Sequence, residues 1–237
     1  MQTASIRLVE SVPLEAEWLY LTTESLVGEK CGVRLLKYMI SRCDMPSSVR
    51  NMIEAHLADE VRHVRLYAAH VGPCKLSGSG YDEPFEAHVR ALPTITLKLF
   101  AIQAVLEGAG LGALKYRLQH WPQYPTKAAD EATLGDELRH LELSYPLFRE
   151  LIAFEGGTPT TSFLQTARSL NAIFSRASDE DNIRSAVTRC SHESSGQSAP
   201  YRGPSAGLKL LRRLSAENIV AARTRFIRQH AKVAAAC

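Results

Sequence analysis

Asp59-Glu60-Val61-Arg62-His63 and Asp136-Glu137-Leu138-Arg139-His140 are two copies of one pattern, Asp-Glu-x-Arg-His, in segments whose apolar residues recur at helical spacing. On an α-helix, residues i and i+3 share a face. Each Glu and its His therefore project together toward a neighbouring helix and bring a carboxylate and an imidazole to one point. One such pair is common on an ordinary charged helix. Two pairs with identical flanking Asp and Arg point instead to a shared metal centre.

A dinuclear centre inside a helical bundle also takes one glutamate from each of the other two helices. Working upstream of each motif, Glu29-Lys30-Cys31-Gly32-Val33-Arg34-Leu35-Leu36-Lys37-Tyr38 aligns without gaps on Glu107-Gly108-Ala109-Gly110-Leu111-Gly112-Ala113-Leu114-Lys115-Tyr116. The two match at the Glu, Gly, Leu, Lys and Tyr positions, so the chain reads as a duplicated helical hairpin. Glu29 precedes the turn at Pro46 by about as many residues as Glu60 follows it, which sets both at one level of an antiparallel pair. Glu107 and Glu137 stand in the same relation around Trp121-Pro122-Gln123-Tyr124-Pro125. Glu24 competes for the helix-one position, but it falls on another face and has no counterpart in the second half.

The expected elements follow from these anchors. Helix one runs from Pro13 to about Cys43, and helix two from about Ser47 to Val71, ending at Gly72-Pro73. A third helical region starts near Glu83, breaks or kinks at Pro93 and continues to about His120. Helix four spans about Thr126 to Phe154, with a kink at Pro146 and an end at Gly156-Gly157. Residues 160–190 read as one or two shorter helices, 191–206 as a Ser/Gly/Pro-rich connector, and roughly 205–233 as a basic helix. The fold class is all-α: a four-helix bundle over residues 1–157 and a C-terminal helical annex over 158–237.

Composition narrows the function classes. The five cysteines are scattered and lack a CxxC spacing, which argues against a disulfide framework or thiolate zinc site. No stretch reads as a membrane-spanning run of about 20 apolar residues, and the N-terminus lacks a secretory pattern. A cytoplasmic protein is expected. A net charge of +3 is too small to indicate nucleic-acid binding by itself. The basic residues do gather late: Lys209, Arg212, Arg213, Arg223, Arg225, Arg228 and Lys232 surround one acid, Glu217. That stretch is either a solvated face or a docking surface for an acidic carrier protein, a reductase or an RNA.

Four carboxylates balance two divalent cations and leave open positions, while two imidazoles complete the shells, a set able to bind and reduce O2 between the metals. Asp59 and Asp136 are placed to accept hydrogen bonds from the ligand histidines, including that of the opposite motif, with Arg62 and Arg139 pairing to them. Gly108, Gly110 and Gly112 each cost about 1 kcal/mol inside a helix. Space beside the metals, close packing, or a distortion that lets Glu107 shift would offset that cost. Packing stands as an even alternative at Gly32 and Gly110, and a cavity is preferred at Gly108 and Gly112. Tyr67, one turn after His63, is either a proton or electron donor or a core tyrosine with its hydroxyl satisfied. Tyr38 and Tyr116 read as structural repeats. His56, His70, His88, His120, His192 and His230 lack ligand spacing and are set aside as non-ligands.

Residues 14–156 resemble the ferritin-like diiron-carboxylate superfamily, which spans multicomponent monooxygenases, acyl-carrier-protein desaturases, ribonucleotide reductase small subunits, tRNA hydroxylases, aldehyde-deformylating oxygenases, rubrerythrins and ferritins. The Asp-Glu-x-Arg-His form resembles the monooxygenases and desaturases more than the ferritins. The resemblance implies two iron ions, with manganese or a mixed pair served by the same donors, held by Glu29, Glu60, His63, Glu107, Glu137 and His140. It implies an O2-dependent oxygenase acting by hydroxylation, desaturation or N-oxygenation on a small or carrier-bound organic substrate. An external reductase would supply electrons, and a homodimer is compatible. Iron oxidation or peroxide detoxification and a tRNA-modifying hydroxylase are the alternatives. The position of Tyr67 resembles that of the radical tyrosine of ribonucleotide reductase small subunits.

Overall fold

The structure, a computed structural model, describes residues 7–71, 80–121 and 123–177, together with 185 and 224. Among these residues there is no strand, and the chain is all-helical. The elements are α1 (Arg7–Arg42), α2 (Ser47–Val71), α3 (Asp82–Ala91), α4 (Ile95–Phe100), a π-helical segment (Ala101–Leu106), α5 (Glu107–His120), α6 (Lys127–Glu155) and α7 (Thr160–Ala177). The connector at 191–206 and the basic helix at 205–233 lie outside the described residues, Thr224 excepted.

Two antiparallel pairs, α1 with α2 and α5 with α6, pack face to face through α2 against α6 and α1 against α5. Tyr67, about two turns beyond Glu60, meets Asp130, about two turns before Glu137, so α2 and α6 run in opposite directions. Arg117, beyond Glu107, meets the same Asp130, so α5 also opposes α6 and lies parallel to α2.

Capping groups fix the breaks. Pro93 ends α3 as expected, and Thr94 then starts α4 by accepting from Leu97 N–H at 3.2 Å. The first amides of α4 are also taken by a distant acid: Glu155 accepts from Ile95 N–H at 2.6 Å, Thr96 N–H at 3.1 Å and the Thr96 hydroxyl at 2.5 Å. A carboxylate at a helix N-terminus satisfies free donors and favours the helix dipole. Gly156, at φ 75°, closes α6 in the left-handed conformation. Helix α6 runs unbroken through Pro146, where the sequence suggests a kink, and residue 146 is exposed.

Apolar packing places the core toward one end. Leu35, Leu36, Met39, Ile53, Phe100 and Leu151 are buried there with Phe163, Ala167 and Leu170 of α7. The boundary expected after residue 157 thus falls between two helices that share one core. At the other end, Trp18 stacks on Tyr124 and donates to the Thr126 hydroxyl at 3.1 Å, tying α1 to the turn before α6. Ile95–His120 is apolar enough to cross a membrane, contrary to the sequence reading, and 83% of its apolar window is buried inside the fold. Its hydropathy serves the core.

Replacing Glu155 with alanine removes all three bonds at the start of α4. We expect a loss of about 1–3 kcal/mol in urea unfolding with metal uptake unchanged, and a wild-type unfolding midpoint would show the cap contributes nothing.

Candidate metal centre

The duplicated motifs meet at mid-bundle. His63 Nδ1 lies 3.3 Å from Glu29 Oε2, 3.7 Å from Glu60 Oε1 and 3.6 Å from Glu137 Oε1. His140 Nδ1 lies 3.9 Å from Glu60 Oε1, 4.0 Å from Glu107 Oε2 and 3.7 Å from Glu137 Oε2. All six residues singled out by the repeat come together, with Glu29 the most accessible at 12% side-chain exposure. Glu24 joins no metal-compatible group.

A seventh residue joins them. His56 Nε2 stands 2.8 Å from Glu107 Oε1 and 3.2 Å from Glu60 Oε1, and its ring centroid is 3.9 Å from that of His140. The sequence reading set His56 aside because it lacks the Glu-x-x-His spacing. The signal was there in another form: His56 is one turn before Glu60, on the same face of α2. Donors of Glu29, Glu60, His63 and Glu137 lie within 4.8 Å of one another, as do those of His56, Glu60, Glu107 and His140. Glu60 belongs to both groups. This buried cluster can hold metal ions.

The Asp residues of each motif brace the other motif. His63 Nε2 donates to Asp136 Oδ2 at 3.0 Å, and His140 Nε2 donates to Asp59 Oδ2 at 3.1 Å. Donation through Nε2 turns the Nδ1 of each ring toward the carboxylates, so that each ring, once neutral, is in the tautomer that binds a metal. Arg62 bonds Asp136 and lies 2.8 Å from Asp59 Oδ1, while Arg139 bonds Asp59 at 2.8 Å and Asp136 at 2.7 Å. Two arginines and two aspartates thus close a square over the imidazoles. Against the cost of burial, His140, Arg139 and Arg62 hold Asp59 down to about 2, so it remains an acceptor.

Inside the square the charge is strained. Burial, then the Glu60 carboxylate, raises Glu29 to about 8. Burial and the other three carboxylates push Glu137 well above the ordinary carboxylate range. Burial disfavours the charged form of His56, but Glu107 and Glu60 outweigh it and raise the ring to about 10. His63 is raised to about 9, burial being outweighed by Glu29, Asp136 and Glu60. Burial and neighbouring His56 instead depress His140 against the pull of Glu107.

Unpartnered lone pairs show what fits. Both oxygens of Glu107, Glu137 Oε2 and His140 Nδ1 are buried without a hydrogen-bond partner, although His56 Nε2 lies 2.8 Å from Glu107 Oε1. Buried acceptors without donors are costly, and a hard divalent cation with oxygen and imidazole preference satisfies them all. The centre therefore suits a pair of metals on chemical grounds. No protein-family model, curated protein or solved structure matches the chain.

Glycines and the π segment adjust the geometry. A Cβ on Gly32 would sit 2.7 Å from Glu60 Oε2, so the missing side chain makes room for the shared carboxylate. Its sequence equivalent, Gly110, is exposed and faces open space. Gly108 and Gly112 are buried. The distortion expected near Glu107 lies just before it: Glu107 N–H bonds Ile102 O, bypassing Gln103 O. Wide turns of this kind occur often at functional sites. Tyr67 donates to Asp130 Oδ1 at 3.0 Å and receives Arg117 Nη2 at 3.3 Å, so its hydroxyl is engaged in a buried network.

Two outcomes are expected. Gly32→Ala displaces Glu60 and weakens binding of both metals by roughly 10–100-fold, whereas Gly110→Ala leaves binding intact and stabilises the fold by about 1 kcal/mol; equal effects in metal titration and thermal melting would contradict the asymmetry. Metal binding must also displace protons from Glu29, His56 and His63, whose raised pKa values keep them protonated at neutral pH. Affinity should therefore rise with pH up to about 8 and continue rising toward about 10. Calorimetry in buffers of different ionisation enthalpy reads the released protons, and pH-independent binding would refute this charge balance.

Proposed function

We propose that this protein is an O2-activating non-haem diiron oxygenase on a ferritin-like four-helix bundle. The observation that carries the reading is the pair of four-residue donor groups sharing Glu60, with His63 and His140 each locked by an aspartate of the opposite motif. Glu29, Glu60, His63 and Glu137 would hold one metal, and His56, Glu60, Glu107 and His140 the other. Two ferrous ions supply the electrons that reduce O2 and allow oxidation of an organic substrate, with a separate reductase restoring them.

The chain's own residues do the rest. Glu60, common to both donor groups, would serve both metals, and the two Asp–His bonds would preserve imidazole orientation. Arg62 and Arg139 keep both aspartates ionised, so the Nε2 protons stay on the rings. The apolar walls from Leu99 to Leu106 restrict water on one side of the centre, which favours controlled oxidation over loss of oxidising equivalents. A binding-and-storage role calls for the same ligands without a substrate site, so the iron stoichiometry decides between the two.

The test is anaerobic titration with ferrous iron, then mixing with O2. Oxidation should saturate near two irons per chain, and Glu60→Ala or Glu137→Ala should lose both metals while helical content by circular dichroism is largely kept. Oxidation continuing far beyond two irons would replace the oxygenase with an iron-handling protein. Full metal retention in either variant would remove the centre.

A further inference from the structure

Buried polar groups flank the centre on both sides, and on the Tyr67 side most of them are paired, Thr133 Oγ1 excepted. Toward the Trp18 end, Arg117 is fully buried and fully engaged. It bonds Asp130 through Nε at 2.9 Å and Nη2 at 2.6 Å, and reaches Leu21 O at 3.2 Å and the Ser25 hydroxyl at 2.9 Å. Tyr67 completes that network. Toward the α7 end, Gln103 is 2% exposed and its Oε1 has no hydrogen-bond partner. His56 Nδ1, also buried, has none either.

These two orphan groups lie on the same side of the ligands. His56 is one turn before Glu60 on α2, and Gln103 is about one turn before Glu107 in the π segment that leads into α5. Because α2 and α5 run parallel, both residues fall on the side away from Tyr67 and Arg117. The neighbours of Gln103 in sequence, Phe100, Ile102, Ala104 and Val105, are buried and apolar. A buried amide oxygen without a partner carries a desolvation cost that calls for an explanation.

We propose that Gln103 is the polar anchor of a substrate subsite on the His56 side of the centre, its Oε1 accepting a hydrogen bond from an N–H or O–H on an otherwise apolar organic molecule. The inference rests on the oxygenase reading and deepens it by naming the substrate class. The π turn supports the assignment: wide turns of this kind occur often at functional sites, and this one carries Gln103 in the segment that leads into Glu107. A site built to pair such a donor discriminates strongly against the analogue lacking it, because the amide is then left unsatisfied.

Matched probes test this on the full-length, metal-loaded protein by calorimetry: aniline and benzyl alcohol against toluene, and 1-hexanol against hexane. The donor-bearing member of at least one set should bind about tenfold tighter. Gln103→Met, close in shape and without the amide, should abolish that preference with two metals retained and a melting temperature equal to or above wild type. Absence of any preference in the wild type, or its survival in Gln103→Met, overturns the inference. So does a lowered melting temperature with equal weakening of both probes, since Gln103 would then be a structural group; Gln103→Leu repeats the measurement if the methionine variant does not fold. Preference retained in a protein that binds no metal would keep the subsite and sink the diiron reading alone. Two bound metals without preference would do the reverse.

Discussion

Four carboxylates buried in one apolar interior repel each other, and every other feature of the bundle's middle acts on that repulsion. Glu29 and Glu137 are forced toward their protonated forms, while His56 and His63 are drawn toward their charged ones. Such a cluster is balanced by protons or by cations. The cost of assembling it is reduced where acceptors meet donors. It persists at Glu107 and Glu137 Oε2, whose lone pairs have no donor.

The bracing is reciprocal because the motif is repeated. Each Glu-x-x-His helix supplies an Asp that reaches across to the other helix's imidazole, so neither half positions its own histidine. The arginines Arg62 and Arg139 are half exposed, and as surface pairs they would contribute little to stability. Their effect is local: they hold the aspartates as anions under the histidines. The duplicated halves have nevertheless diverged at the centre. Gly32 leaves room for a carboxylate and Gly110 faces open space; α1 passes the centre as a regular helix, while the rod leading to Glu107 carries a π turn; His56 has no counterpart before Glu137, where Thr133 stands instead.

Most helix boundaries and six of the seven clustered residues were legible in the sequence, because helical period and the repeated motif specify which residues share a face and a level; the start of α1 was not, since it lies at Arg7 and the helix runs through Pro13 rather than beginning there. Ser47–Val71 was readable from Pro46 and Gly72-Pro73, and the end of α6 from its glycine pair. The cross-bracing was legible as a register argument, since antiparallel helices place Asp59 and His140 on facing surfaces. His56 was not, as it repeats nothing and its role depends on the short α2–α6 distance that brings two imidazoles together. The π turn was equally hidden. Apolar residues Ala101, Ile102, Val105 and Leu106 fit an α-helix as well as a wide turn, and the choice depends on packing against α6 and α7.

The two sides of the cluster are held differently, the Tyr67 side by a charged network and the Gln103 side by apolar packing. Beneath Tyr67 the Arg117–Asp130 pair is wholly buried, and a buried pair of this kind contributes more to fixing geometry than to stability. Its donors reach α1 at Leu21 and Ser25 and α2 at Tyr67, so one guanidinium on α5 sets the spacing of all four helices at that level. Movement of Glu107 relative to Glu29 and Glu60 is resisted from there. On the opposite side the π turn and the lone amide of Gln103 leave the same rod with fewer fixed bonds. The charged network therefore fixes the Tyr67 side of the cluster more firmly than the Gln103 and His56 side.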